Sequence, residues 1–202
     1  MRPLWVIALV LVAPLIVVAT SEADEAAQAA RINGAPTVTR ANKSEPLRRG
    51  DTVMVGDVIE TDRTSKVKIL LADDSILDIG PQSRVLLQAF MLTPARREVR
   101  VEVLLGKFKL AVSKFLTGET DYGVRTPSAV AGVRGTVLWG DTERDLICAL
   151  DGTIEVAARS GDTNPARLSA GECVNQMKAG KTTPLKPSAA EVAAYLKEVT
   201  LE

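Results

Sequence analysis

From about Ile32 the chain alternates between apolar and polar positions. Val67, Ile69 and Leu71 alternate with Lys66, Lys68 and Leu70, and Val99, Val101 and Val103 alternate with Arg100, Glu102 and Leu104. Successive side chains of a strand point to opposite faces. A period of two therefore puts the valines on one face and the charges on the other, as in a half-buried antiparallel sheet. Leu105-Gly106 interrupts the second run, after which Phe108 and Leu110 alternate with Lys107 and Lys109, and the pattern predicts a hairpin there. Turn signals recur at Gly50-Asp51, Gly56-Asp57, Asp73-Asp74, Gly80-Pro81, Gly140-Asp141, Asp151-Gly152, Gly161-Asp162 and Gly171-Glu172. Short strands punctuated in this way predict an all-β domain over residues 32–174, an antiparallel sandwich or roll or a solenoid-like β domain. The spacing is irregular, so no true repeat is read.

The two ends follow other patterns. Ser188 is an N-cap candidate with Glu191 three residues later, and Val192, Tyr195, Leu196 and Val199 form an i, i+3, i+4, i+7 stripe. This predicts a short C-terminal α-helix over 188–202, reached by a linker at 175–187. Packing over one end of the β domain and binding a partner or a second copy both suit such a stripe. At the other end Arg2, the apolar run Leu4 to Ala19 and the small residues at Ala19, Ala23, Ala27, Ala29 and Ala30 follow the order of a secretory signal. Residues 1–23 are read as a signal peptide cut after Ala23, the alternative being an uncleaved inner-membrane anchor. Residues 24–31 are read as an acidic, alanine-rich tether. Both cysteines lie far downstream, so no lipobox is present.

Composition narrows the function classes. The 202 residues are 46% hydrophobic, enough for one core, and 25 basic residues balance 25 acidic ones. That balance provides no electrostatic footprint for nucleic acid or an anionic membrane. Aromatics at 3% supply few rings for stacking on sugars or bases. The chain has no histidine, which removes the usual general base and the commonest metal ligand. Ser65 and Lys68 have the spacing of a Ser-x-x-Lys dyad, but on a strand positions three apart face opposite sides, so they read as a turn serine and a solvated lysine. Asp73, Asp74 and Asp78 lack the spacing of a calcium loop, and Asp73-Asp74-Ser75 reads as a hairpin turn between Val67–Leu71 and Ile76–Ile79. Gly132 to Thr136 lacks the lysine of a phosphate-binding loop. No catalytic, cofactor or metal site is expected.

One segment concentrates unusual backbone chemistry. Thr126-Pro127-Ser128-Ala129-Val130-Ala131-Gly132-Val133-Arg134-Gly135-Thr136 joins a proline turn, small residues and an arginine flanked by glycines to the strand-like Thr136-Val137-Leu138-Trp139. Pro127 fixes its φ, and Arg134 offers five donors in a planar fork. Two roles suit Arg134. It spans carbonyls of its own irregular turn, which is the preferred reading and extends to Thr126 and Pro127 as scaffold, or it is an exposed anchor for a partner's carboxylate. Gly132, Gly135 and Thr136 belong to the same structural or partner-binding loop.

With Val55-Gly56-Asp57-Val58-Ile59-Glu60-Thr61, Val67 to Ser75, Gly80-Pro81-Gln82-Ser83, Leu105-Gly106, Asp151-Gly152-Thr153-Ile154-Glu155-Val156 and Leu168-Ser169-Ala170-Gly171-Glu172, this segment resembles the FecR family over roughly Ile32 to Val174. The resemblance implies an exported all-β domain of the bacterial cell envelope. In that family it serves as the envelope part of anti-sigma regulators that relay a signal from an outer-membrane transporter. Here no cytoplasmic helical segment precedes the apolar run, and few residues follow Val174. The expected role is a non-catalytic periplasmic module that senses or contacts another envelope protein, with a structural component binding peptidoglycan, polysaccharide or itself as the alternative. The resemblance also places Cys148 and Cys173 in the same C-terminal part of the domain, which favours a disulfide over buried free thiols or intermolecular or metal use.

Overall fold

Alternation along a strand buries one row of side chains, and a second sheet must cover that row. The computed structural model describes residues 25–115, 118–161, 164–175 and 177–201, so the signal segment and its cleavage point lie outside the described residues. The strands are β1 (Glu25–Asn33), β2 (Thr37–Arg40), β3 (Lys43–Pro46), β4 (Thr52–Met54), β5 (Val58–Glu60) and β6 (Lys66–Leu71). There follow β7 (Ile76–Ile79), β8 (Arg84–Leu92), β9 (Arg96–Leu105), β10 (Lys107–Ala111), β11 (Glu119–Arg125) and β12 (Ala129–Val133). The last are β13 (Val137–Asp141), β14 (Leu146–Asp151), β15 (Thr153–Ala158), β16 (Ala166–Ser169), β17 (Cys173–Asn175) and β18 (Thr183–Leu185), before helix α1 (Ala189–Val199). Among the described residues they form two nine-stranded sheets. Sheet I runs β18-β17-β14-β13-β10-β7-β6-β1-β4 and sheet II runs β16-β15-β12-β11-β9-β8-β5-β2-β3. The expected all-β fold with one short C-terminal helix is what the chain adopts.

The chain advances by laying hairpins alternately on the two sheets: β6–β7 on I, β8–β9 on II, β11–β12 on II, β13–β14 on I, β15–β16 on II and β17–β18 on I. Between β9 and β11 a single strand, β10, crosses to sheet I, so β11 returns in the direction of β9 and the two pair in parallel. The inward rows meet in one core that includes Val67, Ile69, Leu71, Val99, Val101, Val103, Phe108 and Leu110.

Leu105-Gly106 is therefore not the expected hairpin. It is a corner at which the chain leaves sheet II for sheet I, and the alternation on either side belongs to rows facing each other across the core. Gly106 has φ +95, and a Cβ there would lie 2.2 Å from Ser83 Oγ. Corner backbone finds its partners in short side chains. Thr61 Oγ1 donates to Gly80 O at 2.7 Å and accepts from Ser83 N at 2.9 Å. Ser83 Oγ accepts from Lys107 N at 2.9 Å, and Thr142 Oγ1 accepts from Gly106 N at 2.8 Å. Asp57, fully buried, accepts from Met54 N and from both Nε and Nη2 of Arg40.

Three expected boundaries are corrected. The tether at 24–31 is mostly strand β1, which lies between β6 and β4 and buries Ala26, Ala27 and Ala29. Small side chains give no bulky apolar stripe, yet these three are buried in the folded chain. The linker at 175–187 contains β18, paired with β17, and a 3₁₀ turn at Met177–Ala179. The helix occupies Ala189–Val199, less than the expected 188–202, and it has the expected capping box between Ser188 and Glu191.

Helix α1 packs on the outer face of sheet I and creates a second small core with Trp139, Leu146, Cys148, Cys173 and Val199. Tyr195 stacks on Trp139 with ring centroids 4.6 Å apart. Cys148 and Cys173 are directly opposed on β14 and β17 and form a disulfide spanning 25 residues, worth about 3 kcal/mol in the chain-entropy account. At the helix rim Arg144 donates to both carboxylate oxygens of Glu198, at 2.8 and 3.1 Å, and Lys107 Nζ lies 3.0 Å away.

Burial alone would raise the Glu198 pKa, but the hydrogen bonds from Arg144 and Lys107 outweigh it and hold the group below its ordinary 4.5. A carboxyl lowered on folding contributes stability that is present above its unfolded pKa and lost as pH falls through the folded one. Glu191, held low by Ser188, shifts in the same direction. Helix α1 should stay docked above about pH 5 and loosen at lower pH before the sheets do. Hydrogen exchange of the α1 amides against pH checks this, and Glu198→Gln should shrink the acid step. Simultaneous loss of protection in helix and sheets would contradict it.

Candidate functional site

The signature segment is split between opposite ends of strand β12. Thr126 to Ala129 is the tight turn of the β11–β12 hairpin, with Thr126 N donating to Ala129 O at 2.9 Å and Thr126 Oγ1 accepting from Ala129 N at 3.0 Å. Ser128 Oγ donates to Asp145 Oδ1 at 2.6 Å, and Asp145 Oδ2 accepts from Lys178 N at 2.7 Å, so this turn of sheet II is tied to the β13–β14 turn of sheet I. The guanidinium that reaches the turn carbonyl is that of Arg159, which donates to Thr126 O at 3.2 Å. Thr126 and Ser128 are tied into the fold by these bonds.

Arg134 is not. It emerges past the end of β12, exposed, and makes no hydrogen bond or ion pair among the described residues. The preferred expectation for Arg134 thus fails, for a topological reason: β12 carries the chain the full length of the sheet away from the Pro127 turn. The crossing beside Arg134 is satisfied by backbone instead, with Val112 N donating to Thr136 O at 2.9 Å.

Arg134 borders a groove on the outer face of sheet II with a volume of about 590 Å³. Register builds its floor. Arg100, Gly123, Gly132, Glu155 and Arg167 are successive neighbours across β9, β11, β12, β15 and β16. Gly123 is buried, with Arg100 Cδ 3.5 Å from where its Cβ would lie, so the open part of this row is Gly132, between Arg100 on one side and Glu155 on the other. A Cβ at Gly132 would meet nothing within 4 Å. On one wall Arg100 hydrogen-bonds the Asp121 carboxylate and also donates to Asp121 O at 3.0 Å. The hydrogen bond from Arg100 holds the Asp121 carboxyl below its ordinary range. Arg134, Glu155 and Arg167 form no ion pair among the described residues. The groove can accept an extended chain with its backbone against Gly132, and Arg134 can grip a carboxylate with two parallel bonds.

Beneath this groove lies a buried ion pair that the sequence reading missed. Arg97 is 1% exposed, and its Nη1 donates to Asp73 Oδ2 at 3.0 Å, Ser113 O at 3.0 Å and Ser113 Oγ at 2.9 Å. The guanidinium lies 5.1 Å from the ring centre of Phe115 and 5.3 Å from that of Tyr122. Burial, helped by the Asp73 charge, pushes the Tyr122 phenol well above its ordinary value. The missed signal was parity: Arg97 has the inward phase of Val99, Val101 and Val103.

The other sequence candidates are dispersed. Asp73 belongs to Arg97, whereas Asp78, on the outer face of sheet I, lies 2.7 Å from the ammonium groups of both Lys68 and Lys109. Lys68 is thus paired rather than simply solvated, and Ser65 Oγ accepts from Ala35 N at 2.8 Å instead of approaching it. Asp74 is exposed in the β6–β7 turn, as its hairpin role requires.

The groove and its support respond differently to substitution. Arg97→Ala leaves the Asp73 carboxylate buried without its charge partner and should cost about 3–5 kcal/mol. Gly132→Ala adds a methyl group to open space and should stay within about 0.5 kcal/mol of the parent. Urea unfolding of both variants measures the contrast, and a costly Gly132→Ala would make the glycine floor a folding requirement.

Comparison with known proteins is consistent with this architecture. No curated protein matches the chain. Two crystal structures, at 1.65 and 2.50 Å resolution, of a "putative anti-sigma factor" from Parabacteroides distasonis ATCC 8503 superpose with a TM-score of 0.54 at 20% identity. Each covers 69% of this chain, which in turn spans 64% and 63% of those chains, less than two thirds of their length. The likeness is one of fold. A family model described as FecR protein matches residues 57–164, just over half of the 202-residue chain. The stretch matched runs from the buried Asp57 corner through β15 and takes in Arg134 and Glu155 but not Arg167, and the chain belongs to the FecR family.

Proposed function

We propose that the chain is an exported, non-catalytic module that senses or relays a signal by binding another envelope protein, and that it does so through the groove at Arg134. FecR proteins are regulatory, typically envelope-associated and not known as enzymes, and relatives of this type imply protein partners. The observation that carries the reading is the guanidinium of Arg134, which lies within the family signature, is exposed, and has no partner among the described residues. An arginine free of structural duty beside an open glycine floor suits recognition of a partner's carboxylate. Among the described residues no helix is long and apolar enough to cross a membrane.

Export is testable on its own. Ala26 and Ala27 are buried in β1, so cleavage must leave them attached, and N-terminal sequencing of the native protein should place the first residue between Thr20 and Glu25. Recovery of an intact Met1-containing chain from the cytosol would refute export.

Binding is tested at Arg134. Crosslinking in intact host cells, followed by pull-down, should capture a defined envelope protein with the parent chain and lose it with Arg134→Ala. The unfolding midpoint should move by no more than about 0.5 kcal/mol equivalent. Arg134→Lys should recover capture only in part, because one ammonium cannot reproduce the planar fork. Undiminished capture by Arg134→Ala would exclude the groove, and Arg134-dependent sedimentation with purified cell wall would instead support a structural envelope role.

A further inference from the structure

The outer face of sheet I carries an apolar row that does not belong to the main core. Trp139, Cys148, Cys173 and Leu185 are successive register partners across β13, β14, β17 and β18. Trp139, Leu146, Cys148 and Cys173 are all buried there, and Leu150 and Leu185 extend the face at its margin, partly exposed. What covers it is α1, and the cover is slight. Of its eleven residues only Val199 is fully buried, while Val192, Tyr195, Leu196 and Glu198 are half-buried. The helix is joined to edge strand β18 only by Lys186 and Pro187 ahead of its cap Ser188.

The contacts that seat α1 read as recognition. Tyr195 stacks on Trp139, Arg144 lies 5.2 Å from the Tyr195 ring centre while it grips Glu198 with two bonds, and Lys107 reaches the same carboxylate. Beyond the helix end, Gly80 leaves room for Val199: a Cβ at Gly80 would lie 3.0 Å from Val199 Cγ1. These partners come from β10, the β7–β8 corner, β13 and the β13–β14 turn. The seat is therefore built by the β domain rather than by α1.

We propose that this face is a helix-binding surface with α1 as its displaceable internal occupant. The partner it fits is a protein presenting an amphipathic helix with an aromatic residue to stack on Trp139, a carboxylate three positions later for Arg144 and Lys107, and an aliphatic residue one position beyond that. This extends the reading of the chain as a protein-binding module to a second surface, on the sheet opposite the Arg134 groove. A helix that also covered Leu150 and Leu185 would bury apolar surface that α1 leaves partly open. A short tether gives α1 an effective concentration of roughly millimolar, so a partner's apparent Kd is its intrinsic Kd raised by about the ratio of that concentration to α1's own intrinsic Kd. The chain's own helix thereby sets the threshold for binding.

The probe is a fluorescently labelled peptide of residues 186–201, titrated by anisotropy into the full chain and into its Tyr195→Ala variant, which holds α1 weakly. The peptide should bind Tyr195→Ala at least tenfold more tightly than the parent, and a peptide carrying Tyr195→Ala should lose that binding. Glu198→Arg, on the exposed rim, provides a second weakened chain should Tyr195→Ala misfold, and it should behave alike. As an independent readout, dithiothreitol should reduce Cys148–Cys173 faster in the weakened chains, and added peptide should slow it again. Equal affinity for parent and variants, or reduction that the peptide does not slow, overturns the proposal. Neither readout involves Arg134 or a host protein, so failure here leaves the groove reading intact, and failed capture at Arg134 leaves this one intact.

Discussion

The fold depends on how the backbone is satisfied where it passes from one sheet to the other. After almost every hairpin the chain crosses the edge of a shared core, and at each crossing it leaves one ladder before joining the next. A buried N–H or C=O left there without a partner costs about 1–3 kcal/mol, against a net stability of about 5–15 kcal/mol for a whole domain. A handful of unsatisfied corners would cancel the fold. Thr61, Ser65, Ser83 and Thr142 meet this need with side chains short enough to stay at the corner, and Asp57 meets it with a carboxylate that Arg40 neutralises.

The short polar fragments that mark the family are therefore largely a record of crossings. Gly56-Asp57, Gly80 to Ser83 and Leu105-Gly106 each fall where the chain changes sheet, and their order in sequence is the order of the corners. Such residues report architecture and say little about a ligand. Arg134 differs because it stands at a crossing and satisfies nothing there, Thr136 O being taken by Val112 N. A residue relieved of folding duty in the middle of a folding motif is where a recognition role is easiest to place.

What was legible in the sequence was whatever has a short period. The alternation of Val67 to Leu71 and of Val99 to Val103 identified inward rows, and the capping box of Ser188 with Glu191 identified the helix. Partnerships between distant segments were not legible. Arg97 shares the valine parity, but its charge partner Asp73 lies 24 residues away in sequence and its acceptor Ser113 lies 16 away. The carbonyl of Thr126 is held by Arg159 from 33 residues away, so nearness in sequence pointed to the wrong arginine. Gly106 looked like a hairpin because alternation on both sides of a turn is the same whether the next strand joins the same sheet or the facing one. The alanines of β1 escaped notice because a buried alanine-rich strand resembles a flexible tether in composition.

The two outer faces of the sandwich solve the same problem differently, and the difference bears on function. Sheet II presents charges and glycines at the groove and needs no cover, so that site stands open in the folded state. Sheet I presents Trp139 and the disulfide, and a tryptophan of 150–250 Å² returned to water would cost about 4–6 kcal/mol at 25 cal/mol per Å². An isolated helix of eleven residues is itself marginal in water, so α1 holds its shape chiefly because it is docked. Undocking and unravelling of α1 are then one event, with a cost that includes both the exposed ring and the lost helix. A partner avoids that cost only by replacing the helix as it leaves, so this face should yield to a competitor of similar form and resist spontaneous opening.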